Sequence, residues 1–352
     1  TSGQGHAGRI NINGAEAIIF SGANSEGFSS GAFSNVRGMG RGNAGEIRLL
    51  SNFVQVSDQA QLSSSTFAEG NAGNVTIEAS NTAQFLNGNI FSTVAETGRG
   101  NGGNIRIIGN RVEVRDGAIL SSNTFGEGNA GRIDIHGSEA MIFSGENSEG
   151  SLSGAFSNVL ETGQGNAGEI NLIGNYLEVS DQAGLSSSTF GDGNAGTVSI
   201  EVGDTFLLSN GLVASGVGET GRGNAGNVTV VADQLEVYDG FLSSSSLNQG
   251  NAGTVTIEVH DTAIFSSLEP NRRRSGLYST VEETGQGNAG GVNLIAGTVE
   301  LRDGARLSSS NNTTSNANDF TAGDVFVQAD RLHLSDRADI SANTGGRGGN
   351  IQ

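Results

Sequence analysis

"GNAGEIRLLSNFVQVSDQAQLSSST" (residues 42–66) decides how this chain folds. A glycine-rich tetrapeptide opens it. Three short apolar segments follow: Ile47 and Leu49, then Val54 and Val56, then Leu62 ahead of a serine run. Apolar residues two apart, bounded by Gly, Asn and Asp, predict strands, because alternate side chains of a strand share one face. The pattern recurs along the whole chain. "GNAG" returns at 70–73, 128–131, 165–168, 193–196, 223–226, 250–253 and 287–290, with degenerate copies "GHAG" at 5–8 and "GNGG" at 100–103.

Anchored on His6, Asn43, Asn71, Asn101, Asn129, Asn166, Asn194, Asn224, Asn251, Asn288, Thr321 and Arg347, the units are 37, 28, 30, 28, 37, 28, 30, 27, 37, 33 and 26 residues long. The order long, short, medium, short then repeats, so three super-repeats emerge: 6–128, 129–250 and a diverged 251–352. One such strand cannot bury its apolar face alone. Identical units bury it by coiling, each turn stacked on the last about 4.8 Å away. The expected fold is all-β: a parallel β-helix (β-solenoid) of about 11 coils, three short strands per coil, around an aliphatic column of Ile, Leu and Val. Residues 1–352 form one such segment, which starts and stops in mid-pattern and is expected to belong to a longer chain. A β-propeller, the competing repeat fold, wants four strands per blade and more aromatic residues.

Composition removes whole classes of chemistry. The 37 acidic residues outnumber 18 basic ones, all of them Arg, for a formal charge of −19. Nucleic acid is therefore not an expected partner. Without Cys there is no disulfide or thiolate zinc site, and without Lys no phosphate-loop lysine or Schiff base. A glycine-rich turn before a strand outlines a phosphate nest. Ten near-copies of it, with no Lys, read instead as the corner of a scaffold. No cofactor is expected.

The repeats "GNAGNVTIEA" (70–79), "LEVSDQAGLSSSTFGDGNAG" (177–196) and "VRDGAILSSNTFGEGNAG" (114–131) resemble those of filamentous-haemagglutinin-type exoproteins, the secreted partners of two-partner secretion systems, in their cyanobacterial spelling. The resemblance runs from about residue 5 to 352 and carries no catalytic motif. It implies a right-handed helix, export through an outer-membrane transporter barrel, and a secreted, cell-surface adhesive role.

Three sets of residues stand out. Asn43, Asn71, Asn101, Asn129, Asn166, Asn194, Asn224, Asn251 and Asn288 fall at one corner and are expected to hydrogen-bond amide to amide as a ladder. Two residues earlier, Arg41, Glu69, Arg99, Glu127, Asp192 and Arg222 never place like charges on adjacent coils, which predicts a charge ladder that fixes register. Asp58, Asp116, Asp181, Asp239, Asp303 and Asp336 end the second segment as turn caps. The long units insert 23–36, 146–159 and 266–281. In the third of these, Arg272, Arg273, Arg274 and Tyr278 form a candidate partner-binding loop for an anionic glycan or surface receptor. No nucleophile–base pair or paired carboxylates emerge, so an enzyme is not expected. The reading is a rigid surface stalk or adhesin. A self-associating extracellular fibre, with homotypic end-to-end pairing, is the first alternative. A polysaccharide lyase or hydrolase β-helix is the second.

Overall fold

The computed structural model describes residues 1–267, 274–314 and 320–352. Among them every regular element is a β-strand. All strand pairs are parallel, and each coil pairs only with the coils before and after it. Two sheets result, each with an eleven-rung path, one of long strands and one of three-residue strands. Eleven rungs separated by about 4.8 Å span roughly 48 Å along the axis. The chain is a β-solenoid.

The first two segments of each coil mostly run on as one strand, as in Ile47–Ser57 and Ile105–Arg115. They separate only in the first coil (Ile10–Asn13, Ala17–Ser21) and the seventh (Val198–Val202, Thr205–Ser209). The bend lies in the register. Ile47, Leu49 and Ser51 point inward, then Asn52 and Phe53 both face out, and Val54 and Val56 point inward again. Pairing with the next strand shifts between Ser51 and Phe53. Two consecutive outward residues turn the chain while hydrogen bonds to neighbouring coils continue. The third segment is a separate strand such as Gln61–Ser63, whose middle residue, Leu62, enters the core.

The interior departs from an all-aliphatic column. Phe85, Phe143, Phe206 and Phe265 are fully buried. Phe85, Phe143 and Phe265 share one line, on which Val56, Val114, Val179, Val237 and Leu301 pair against them so that no two rings adjoin, while Phe206 lies on the neighbouring line between Leu177 and Leu235. Within their coils, Phe85 and Phe265 follow Ala83 and Ala263 two residues earlier, both buried. The alanine supplies the volume that the ring takes, which keeps the cross-section constant.

Between the two sheets, a row of serines closes the wall. Ser64, Ser92, Ser122, Ser157 and Ser187 are buried. Each hydroxyl donates to a glycine carbonyl, as Ser122 Oγ does to Gly103 O at 2.6 Å, and those of Ser122 and Ser157 also accept from the next corner's glycine, Gly131 N at 3.0 Å and Gly168 N at 3.1 Å. This is why "GNAG" ends in Gly. A methyl on Gly131 would sit 2.5 Å from Ser122 Oγ and 2.7 Å from the Gly103 carbonyl carbon.

Candidate functional site

The anchor asparagines form one unbroken line, but not by amide-to-amide bonds. The backbone N–H of Asn71 donates to Asn43 Oδ1 at 3.0 Å, that of Asn101 to Asn71 Oδ1 at 2.8 Å, and that of Asn129 to Asn101 Oδ1 at 3.0 Å. The same bond joins Asn166, Asn194, Asn224, Asn251 and Asn288 in turn. His6 Nδ1 begins the line by accepting from Asn43 N, and Thr321 N ends it on Asn288 Oδ1. At the corner, Gly42 adopts φ +137°. The anchor's C=O still meets the previous coil, where Ala44 N donates to Asn71 O, while its N–H takes the side-chain oxygen instead of a carbonyl. The ladder thus completes the backbone's own hydrogen bonding. Only Asn251 adds an amide-to-amide bond, to Asn224 at 3.2 Å. A second line three residues on, Asn74 to Asn104 to Arg132, repeats the device.

Arg41, Glu69, Arg99 and Glu127 occupy successive bridged rungs, and Asp192 lies beside Arg222. The side chains close in pairs rather than in a continuous run. Arg41 meets Glu69 at 2.9 Å and Arg99 meets Glu127 at 3.1 Å, while Glu69 does not reach Arg99, nor Asp192 Arg222, within ion-pair distance. These groups stand in water, 68% and 62% exposed for the first pair, where one partner satisfies each guanidinium and a second adds little. Asp192 also lacks the extra methylene of Glu.

Asp58, Asp116, Asp181, Asp239, Asp303 and Asp336 all adopt left-handed φ of 50–56°. Asn87 and Asn210 fill the same corner in intervening coils, at φ 51° and 53°. Asn and Asp tolerate that region better than other non-glycine residues. In the first two long coils the chain leaves this corner as a small hairpin. Ala23 bridges Ser29 and Glu146 bridges Leu152, each around an Asn whose Oδ1 accepts two backbone N–H groups. The second hairpin also reaches back across the surface, with Asn147 Nδ2 donating to Asn87 Oδ1 at 3.1 Å.

The candidate partner-binding loop is only partly in view. Arg272 and Arg273 lie outside the described residues. Arg274 is committed internally, sharing Asp339 with Arg306. Tyr278 is 7% exposed; its hydroxyl donates to Arg274 O at 2.6 Å and its ring packs edge-on to Phe241. Tyr278 therefore braces Arg274, and both side chains are held by contacts within the chain.

The outer face of the short sheet presents something the motifs did not mark. A groove of about 570 Å³ runs over coils two to five. Phe91 and Phe156 stand on one side and Phe67 and Phe125 on the other; Ser63, Thr93, Ser121 and Asn123 are among the residues between them. Through Gln61 and Ile119 it adjoins a polar cleft of about 230 Å³, which Gln59, Asn89, Asn147 and Ser151 help to line. The sequence did carry the signal. Phe follows Thr at 66–67, 124–125 and 189–190, on every second unit.

On the long sheet, the Glu113 side chain is only 12% exposed. Burial pushes its carboxyl up, but hydrogen bonds from Gln84 at 2.7 Å and Arg111 at 2.6 Å, with the charges of Arg111 and Arg115, outweigh that and hold it below the ordinary carboxylate range. His260 pairs with Asp233 at 2.7 Å, away from the other histidines along the axis. Among the described residues no three His, Asp or Glu side chains converge as metal ligands would. No protein-family model, curated protein or solved structure matches this chain.

Proposed function

We propose that this chain is part of a secreted bacterial cell-surface β-helix of the filamentous-haemagglutinin type, exported through an outer-membrane transporter and acting as a rigid stalk and adhesin. The observation that carries this reading is the line of hydrogen bonds from His6 to Thr321, which ties each coil to the next without interruption. Stability of this kind is one-dimensional and suits a rod whose task is reach. Two hairpins, at 23–29 and 146–152, sit on the same edge four coils apart, where a stalk presents what it carries. Small-angle scattering of the chain tests the stalk, and a compact, spherical profile counts against it. Beads coated with the chain test the adhesin; attachment to cells or polysaccharide films no better than that of albumin-coated beads counts against it.

The fibre reading has its own support. Leu50, Ile173 and Ile295, 41%, 38% and 37% exposed, lie in one line on the outer face of the long sheet, four rungs apart. Lateral pairing of rods would cover them, and sedimentation reads it directly. A lyase or hydrolase has less in its favour. Glu96 is the one carboxylate lining the aromatic groove, whereas hydrolysis of a glycosidic bond commonly uses two.

A further inference from the structure

We propose that the groove on the short sheet binds a neutral polysaccharide lying along the solenoid axis, with Phe67, Phe91, Phe125 and Phe156 as its stacking platforms. The assignment rests on the adhesin reading and says where adhesion happens and to what class of ligand.

The rings are arranged as platforms rather than as core that failed to bury. The Phe156 ring lies along the sheet, over Gly154 and Gly184. A methyl on Gly154 would come within 2.7 Å of the ring's Cζ, and one on Gly184 would meet its edge at 3.6 Å. Two glycines in succession thus leave the space in which the ring lies down, with its other face toward the groove. Phe91 occupies the same strand position two coils earlier, with Ser121 between them. On the opposite side, Phe67 and Phe125 follow the bridged residues Thr66 and Thr124, again two coils apart. Arg37 packs on Phe67, its guanidinium carbon 5.4 Å from the ring centre, and holds that ring in place. Each pair of rings is therefore separated by about 9.6 Å, two strand spacings. A linear ligand made of repeating units meets such a surface in register. The C–H faces of pyranose rings stack on aromatic faces, and their hydroxyls meet the polar groups between.

Those polar groups are uncharged. Of thirteen residues lining the groove, Glu96 alone carries a charge, and no Arg is among them. In a chain of formal charge −19, a groove with no cation in its lining, and with the neighbouring Arg37 packed on the Phe67 ring, offers little to hold a sulfate or a uronate, and the surrounding field repels both. Neutral sugars escape this penalty. The adjoining cleft supplies Gln59, Gln61 and Asn89, with Ser148 from the hairpin, as donors and acceptors for hydroxyls. A peptide strand is a poorer fit. It would need an open sheet edge, and along coils two to five each strand of the short sheet is already paired on both sides.

The test is affinity electrophoresis of the whole chain in gels containing hydroxyethyl cellulose, glucomannan, galactomannan or laminarin, with alginate and heparin as acidic counterparts. Retardation by at least one neutral polysaccharide, and by neither acidic one, is expected. Phe91→Ala with Phe125→Ala removes two platforms and weakens binding about tenfold or more, the sum of two stacking contacts. Ala95→Arg, which deletes nothing and fills the groove, does the same, and an unchanged circular dichroism melt shows that each variant is folded. Leu50→Ala, on the other sheet, leaves binding intact. No retardation by any neutral polysaccharide, binding equal in the groove variants, or binding confined to alginate or heparin overturns the proposal. So does a dimer that these variants dissociate, since a second copy would then be the occupant. Bead attachment that survives the groove variants leaves the adhesin standing and removes this groove from it.

Discussion

Gly290 and Gly291 are neighbours in sequence, and alanine at the two positions should have opposite effects. Gly290 closes a "GNAG" corner. A methyl there would sit 2.5 Å from the Gly253 carbonyl carbon, closer still to its oxygen, and 2.9 Å from Ser279 Oγ. Backbone of the previous coil cannot swing aside as a side-chain end can, so the coils must part. Overpacking of this kind costs about 1–3 kcal/mol. The Ser279 hydroxyl, which donates to Gly253 O at 2.5 Å, loses its geometry for about 0.5–1.5 kcal/mol more. Gly290→Ala is thus expected to destabilise by about 2–4 kcal/mol. At Gly291 the nearest atom to an added methyl is Thr254 Cγ2 at 3.7 Å, an ordinary contact, and other coils carry Glu46, Asn74 and Thr254 there. Gly291→Ala removes only unfolded-state freedom and should stabilise by about 0.4–1 kcal/mol. Urea unfolding followed by far-ultraviolet circular dichroism compares the two. Repeat arrays depart from two-state behaviour, so hydrogen exchange at coils nine and ten is the better local readout. Equal midpoints and equal exchange for the two variants would refute the steric account of the corner.

Four further outcomes are expected. Asn129→Ala leaves the N–H of Asn166 without its acceptor and costs about 0.5–1.5 kcal/mol, seen as faster exchange of that one amide. Asp116→Ala, at φ 56°, costs about 1–2 kcal/mol by calorimetry, while Asp116→Gly and Asp116→Asn are tolerated. A double-mutant cycle on Arg41 and Glu69 gives a coupling below about 1 kcal/mol that fades with salt. Glu113 has a folded-state pKa below its unfolded value, so its contribution is present in full above the unfolded value and is lost as pH falls through the folded one. Comparing urea midpoints across that acidic window in wild type and Glu113→Gln isolates it, and an identical pH dependence in both would remove Glu113 from the account.

How far the fold was legible follows from what repetition records. Spacing alone located every coil, because stacked turns of one fold need the same residues at the same places, and "GNAG" marks each corner. The register of Arg41 on Glu69 and of Asn43 on Asn71 followed from the anchors. What those side chains bond to did not. Whether Asn43 Oδ1 meets an amide or a backbone N–H depends on the twist at Gly42, which no spacing encodes. Likewise Tyr278 looked available because it lies in an insertion, and only packing against Phe241 shows it to be a brace. Buried Phe85 and Phe265 were hidden for a related reason. Each is licensed by an alanine two residues earlier, a compensation within one coil that a coil-to-coil pattern overlooks.

One rule joins the ladders, the core and the groove. In a solenoid each residue faces its equivalents at the inter-strand distance, so a side chain is tested against its own kind. Asn and Ser pass that test, since each can offer an oxygen to the next rung, and both form lines through consecutive coils. Carboxylates and rings do not. Glu113 and Glu178 are separated by Ile142, and Asp58 and Asp116 by Asn87. Phe91 and Phe156 are separated by Ser121, as buried Phe85 and Phe143 are by Val114. Like charges at one strand spacing repel, and rings stacked there crowd the rung, so both are mostly spread to every second coil, with Asp303 and Asp336 on adjacent coils as an exception. The resulting period of two coils is a by-product of keeping the stack stable. It also sets a regular row of half-exposed rings with hydroxyls between them along one face, and that row is what gives an otherwise uniform rod a place to bind.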